Sequence, residues 1–161
     1  MGIGKTTVGG ELARHLGWPL IDTDSAIETQ SNMTIREIFD WLGESHFRDL
    51  EHDVLAKESR RARRVLSLGG GAFVQPANKV LLLQRCLVVY LAAPWSHVAR
   101  TINRLRNTRP LLRDRSIAEL EALFDSRHEV YDAAHIRVNV AGRRPAHIAQ
   151  RILELGGLEA T

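Results

Sequence analysis

The sequence predicts an α/β domain built on a mainly parallel sheet. Helical apolar periods alternate with short apolar runs along the whole chain. One of those runs, CLVVYL at residues 86–91, is apolar on both faces, as a strand covered by helices on either side must be. The length of 161 residues suits one domain, 1–161, that buries its core without disulfides or metal staples.

The elements follow in order. A helix begins at the glycine-lysine turn, carries Val8, Leu12 and Leu16 on one face, and ends at Gly17. After Pro19, Leu20-Ile21 reads as a buried strand delivering Asp22-Thr23-Asp24 at its carboxyl end. Thr34 caps the next helix with Glu37 as capping-box partner, and Ile35, Ile38, Phe39 and Leu42 form its apolar stripe. Another helix follows Gly43, with Phe47, Leu50, Val54 and Leu55 on one side. Val65 to Leu68 is a buried strand running into Gly69-Gly70-Gly71, and Pro94 opens the helix after CLVVYL. Arg104 to Arg115 is arginine-dense and aperiodic and reads as a mobile loop. Ile117 to Tyr131 is helical, Ile136-Val138-Val140 alternates as a strand, and Pro145 to Leu155 closes the chain as a helix.

Composition narrows the function. No apolar run approaches the ~20 residues that cross a bilayer. No secretory signal is visible, and the single Cys86 cannot form an internal disulfide, so a buried thiol and a cytoplasmic protein are expected. The net charge of +3 is almost all arginine, since only Lys5, Lys57 and Lys79 are lysines. That composition fits nucleic acid or a small anionic substrate equally, because arginine grips carboxylates and phosphates bidentately.

Several residues carry chemistry. Gly4-Lys5-Thr6 is the latter half of the pattern G-x-x-x-x-G-K-[ST], in which backbone N–H groups surround phosphates, the lysine reaches the β/γ-phosphates and the Thr hydroxyl meets Mg²⁺. As a bare tripeptide it is also a plain helix start. Asp22 and Asp24, two apart on an extended segment, face the same way at a strand end where open α/β sheets bind ligands. One can share a Mg²⁺ ion through water while the other takes a proton from a hydroxyl; the bland reading makes Asp24 a helix cap. Three consecutive glycines after a strand suit close approach of a ligand to backbone. Arg48 and Glu51 pair on one helix, as Arg127 and Tyr131 do on another, and either pair can be a mere surface contact. Five arginines at residues 104–115 (Arg104, Arg106, Arg109, Arg113, Arg115) suit a lid over ATP. The run Arg60 to Arg64 reads as the basic C-terminal turn of a helix, and the histidines show no metal-ligand spacing.

Taken in order, MGIGKTT, LIDTD, FRDLE, LGGGA, RPLL, RHEVY and RRP resemble the shikimate kinase family along the whole chain. The resemblance implies a P-loop, nucleoside monophosphate kinase-like fold, a three-layer α/β/α sandwich around a five-stranded parallel sheet. It implies transfer of the γ-phosphoryl group of ATP to the 3-hydroxyl of shikimate in aromatic amino-acid biosynthesis, with Mg²⁺ as cofactor, by a monomer. Carried over by position, Gly2, Ile3, Gly4, Lys5, Thr6 and Thr7 hold ATP phosphates, with Thr6 and Asp22 on the Mg²⁺ side. Lys5, Asp24 and Arg109 serve the transfer, Asp24 also binding shikimate hydroxyls. Arg48 and Arg127 hold the substrate carboxylate, Glu51 orients Arg48, and Gly69, Gly70 and Gly71 form the substrate-side turn. Arg143 lies near adenine, with Arg104 or Arg106 stacking on it, and the lid spans about 104–116.

The family's sheet includes a central apolar strand leading into the phosphate loop, whereas this sequence starts inside that loop. Its neighbours are then expected to lack a ladder partner, and Met1 is read as an internal methionine. Two rivals stand beside the kinase reading: a P-loop kinase for another polyol acid such as gluconate, and a nucleotide-binding relic. Nucleic-acid binding rests on Arg60 to Arg64 alone and is not expected.

Overall fold

The computed structural model describes residues 3–105 and 116–159. Gly2 and the lid arginines Arg106, Arg109, Arg113 and Arg115 lie outside the described residues. Helix α1 (Lys5–Leu16) runs between two glycines with positive φ, Gly4 at 78° and Gly17 at 63°; the N–H of Gly17 closes the helix on the Ala13 carbonyl. Strand β1 (Leu20–Asp22) leads directly into α2 (Thr23–Ser31).

Helix α3 (Ile35–Glu37) starts at Thr34, which forms the expected capping box with Glu37. It passes through a π-helical turn, Ile38–Leu42, into α4 (Gly43–Glu58). This turn changes the expected stripe. Ile38 is buried, but the wider turn rotates the residues after it outward, leaving Trp41 74% and Leu42 46% exposed. Strand β2 (Val65–Ser67) ends at the glycine turn, which leads through a 3₁₀ turn at Ala72–Val74 into α5 (Pro76–Arg85).

Strand β3 is Val89–Ala92, later than the run Cys86 to Leu91 suggests. Cys86 is the residue that ends α5, its N–H bonded to the Leu82 carbonyl, and Leu87 is exposed. The thiol is half-buried rather than fully enclosed. Helix α6 (Trp95–Leu105) continues past Arg104, so that part of the expected loop is helical. Helix α7 (Ile117–Tyr131) is capped by Ser116 through a second capping box with Glu119. Strand β4 (Ile136–Asn139) and α8 (Pro145–Gly156) complete the order.

The described strands form two parallel pairs, β1 with β2 and β3 with β4, in the registers Leu20 with Val65 and Val89 with Ile136. Among the described residues β2 and β3 each pair on one side only. A cavity of about 420 Å³ is lined by both of them and by Val8 and Leu12 of α1. The largest apolar cluster packs Val8 of α1 and Ile148 and Ile152 of α8 onto Leu91, Ile136 and Val138 of the β3–β4 pair. A second cluster (Ile27, Ile38, Phe47, Val54) holds α2, the π turn and α4 together. A third (Leu55, Ala72, Phe73, Leu82) seats the segment after the glycine turn on α4 and α5.

The run Arg60 to Arg64 lies beyond the end of α4, not in its last turn. Arg64 folds back to form an ion pair with the largely buried Glu58 carboxylate. No helix of the described residues is long and apolar enough to cross a membrane.

Candidate active site

The carboxyl ends of β1 and β2 and the first turn of α1 bring three oxygens together. The Thr6 hydroxyl donates to Asp22 Oδ2 at 2.9 Å and lies 3.2 Å from the Ser67 hydroxyl. The first turn of α1 contains no acidic residue and no side chain caps it, so its positive end favours an anion. Half-buried Lys5 is the first residue of that helix. Hard oxygen donors beside a helix N-terminus fit Mg²⁺, which takes one or two protein oxygens and leaves the rest to phosphates and water. No cluster of three or more His, Cys, Asp or Glu groups placed to hold a metal ion exists among the described residues.

The two aspartates do not share an extended segment. Helix α2 starts at Thr23, so Asp22 ends the strand and Asp24 stands in the first helical turn. Asp22 is also the cap: its Oδ1 accepts the N–H groups of Asp24 at 3.1 Å and Ser25 at 3.4 Å, while Oδ2 faces Thr6. The capping role read onto Asp24 therefore belongs to Asp22, because an N-cap precedes the first residue with helical dihedrals.

Asp24 turns to the glycine turn instead. A methyl group on Gly69 would come 2.6 Å from Asp24 Oδ1 and 3.3 Å from Glu51 Oε1. On Gly71 it would meet Arg48 Nη1 at 2.9 Å, and on Gly70 the nearest atom would be Arg127 Nη1 at 3.9 Å. Side chains from α2, α4 and α7 thus converge on one stretch of bare backbone. Here glycine is required by close approach.

Arg48 is aimed by its own helix. Its Nη1 donates to Glu51 Oε2 at 2.9 Å and its Nη2 to Glu44 Oε1 at 3.0 Å. Glu51 is only 1% exposed, so the pair is far from the surface contact that spacing alone allows. Burial pushes the Glu51 carboxyl above its usual range, Arg48 opposes this, and the charge of Asp24 adds to it.

Three residues of the site were not singled out by the spacing of charged groups. Ser67 joins Thr6 and Asp22. Thr23, fully buried, donates to the Ser67 carbonyl at 3.2 Å and accepts the Gly69 N–H at 2.9 Å. Tyr131 donates to the Gly70 carbonyl at 2.6 Å. Only Tyr131 left a trace in the sequence, as the partner of Arg127 one turn away. Arg143 is exposed on the connection between β4 and α8 and makes none of these contacts.

Comparison with known proteins identifies the family. A family model described as shikimate kinase matches residues 1–155. The chain is 37% identical over 155 residues to the shikimate kinase of Bacillus subtilis, covering 96% of this chain and 83% of that protein. It is 41% identical over 168 aligned residues to that of Burkholderia thailandensis, covering 99% and 89%. Among solved structures, shikimate kinase from Acinetobacter baumannii in complex with shikimate superposes with a TM-score of 0.87 at 38% identity, over 96% of this chain and 87% of that one. A gluconokinase from Sinorhizobium meliloti, 16% identical with a TM-score of 0.54 over 96% and 86% of the two chains, shares the fold alone. The chain belongs to the shikimate kinase family of ATP-dependent kinases.

Proposed function

We propose that this chain transfers the γ-phosphoryl group of ATP to the 3-hydroxyl of shikimate. The observation that carries the reading is the convergence of Asp24, Arg48 and Arg127 on the glycine turn. Two guanidinium forks and a carboxylate around bare backbone suit a small molecule with one carboxylate and several hydroxyls. Arg48 and Arg127 hold the substrate carboxylate, with Arg48 pre-aimed by Glu51. Asp24 accepts hydrogen bonds from the hydroxyls and takes the proton of the one that is phosphorylated. Gly2 to Thr7 and the N-terminus of α1 cradle the phosphates, and Lys5 and Arg109 neutralise charge on the transferring group. Thr6 and Asp22, with Ser67 beside them, would hold a Mg²⁺ ion, which supplies charge neutralisation at the phosphates. Arg143 sits near the adenine. The protein acts as a monomer in the cytoplasm.

Release of ADP in a coupled assay tests the reading. Turnover is expected with shikimate and not with gluconate. Folded protein that releases ADP equally with either acid, or with neither, refutes it. Arg127→Ala is expected to raise the KM for shikimate about 10- to 100-fold, because a charged hydrogen-bonded partner is lost, with little change in the KM for ATP. Normal shikimate binding by that variant would withdraw the role of Arg127.

A further inference from the structure

The glycine turn has no side chains with which to fix itself, yet three binding side chains are arranged against it. Backbone N–H groups of Ala72 and Val74 hold the Gly69 and Gly71 carbonyls, but the Gly69 N–H and the Gly70 carbonyl are held by side chains from elsewhere in the chain. On one side this is Thr23, whose hydroxyl takes the Gly69 N–H at 2.9 Å and gives its proton to the Ser67 carbonyl. On the other it is Tyr131, whose hydroxyl donates to the Gly70 carbonyl across 61 positions of sequence at 2.6 Å. The Tyr131 ring packs against Tyr90, with centroids 5.2 Å apart, and Phe73, at 6.3 Å, and these contacts limit its freedom. Burial pushes the phenol above its usual range, so it remains a donor at every physiological pH, although the hydrogen bond and charge of Arg127 oppose the shift.

We propose that Tyr131 is a positioning residue for shikimate: its hydroxyl locks the Gly70 peptide and ties it to the helix turn that carries Arg127. One end of α7 then sets both the backbone floor under the substrate and the guanidinium above it. The two cannot drift apart without breaking this part-buried hydrogen bond. The inference rests on the reading of Arg127 and the glycine turn as the shikimate site.

Tyr131→Phe removes the hydroxyl and keeps the ring. Steady-state kinetics and calorimetric titration of shikimate, without nucleotide, are measured beside the parent and Arg127→Ala. The expected result for Tyr131→Phe is a weakening of shikimate binding and a rise in its KM of about three- to ten-fold. The KM for ATP should stay within two-fold and the kcat within about three-fold. Combined with Arg127→Ala, the added effect of Tyr131→Phe should shrink, because the two groups act on one site. If Arg127→Ala binds shikimate normally, the site reading itself falls. If Arg127→Ala weakens binding and Tyr131→Phe does not, only the positioning role falls. Loss of folded protein in Tyr131→Phe, or equal rises in both KM values, would mark the hydroxyl as structural and overturn the role.

Discussion

Replacing Gly69 by alanine isolates the close approach on which the site depends. Gly69 is not among the residues with positive φ, so alanine can adopt its backbone and the perturbation is one methyl group. That methyl would stand 2.6 Å from Asp24 Oδ1, where ordinary contact begins at 3.4 Å, so the carboxylate must withdraw by roughly 0.8 Å. It is the far end of a flexible side chain in the first turn of α2, so it can yield. Overpacking should cost about 1 kcal/mol and is offset in part by the lower entropy of the unfolded alanine chain. Catalysis has no such slack, since misplacing a reacting group by about 1 Å can cost 10²-fold. The kcat/KM for shikimate is therefore expected to fall about 10- to 100-fold while the thermal midpoint moves by only a few degrees. The coupled ADP assay and thermal unfolding measure the two effects side by side. A kcat/KM within two-fold of the parent for Gly69→Ala would refute the placing of Asp24 against the reacting hydroxyl.

Glu51→Gln should separate stability from binding. The folded state raises the Glu51 pKa, so the stability it contributes is full below the usual carboxylate range and is lost as pH rises through the folded value. Glutamine stays neutral throughout, so the variant's thermal midpoint relative to the parent should rise between pH 4 and pH 7. Its shikimate KM should rise about three- to ten-fold, as Arg48 exchanges a charged acceptor for a neutral one. A relative midpoint that falls over that interval would contradict the burial argument. Lys5→Met and Arg109→Ala should mainly lower kcat, by about 10²- to 10³-fold, as expected when one transition-state charge partner is removed. Pre-steady-state phosphoryl transfer would check this, and a change confined to the KM for ATP would assign these groups to binding alone.

Local structure was legible wherever neighbouring residues decide it. Thr34 with Glu37, Gly17 after Leu16, and Pro145 before an apolar stripe each announce a helix end, because caps are made by side chains a few positions away. The phosphate loop, the aspartate pair and the glycine run were legible as types for the same reason. The tertiary structure was needed where one residue serves two masters. Asp22 or Asp24 could cap α2, and only the point at which β1 gives way to helix assigns the cap to Asp22 and turns Asp24 toward Gly69. Spacing allowed Arg48–Glu51 to be a solvated pair, and only packing against the glycine turn buries the carboxylate and makes the pair matter. Hydroxyls are the extreme case. Thr23 and Ser67 carry no charge or periodicity that singles them out, Tyr131 shows only its spacing from Arg127, and the partners of all three lie 44 to 61 residues away. Sequence by itself thus determined the family, the four strands and most of the helices, and it put forward the charged candidates for the site. Only the folded chain decided which faces they turn to one another and which uncharged groups hold them there, because hydrogen-bond partners distant in sequence meet only after the strands and helices have packed.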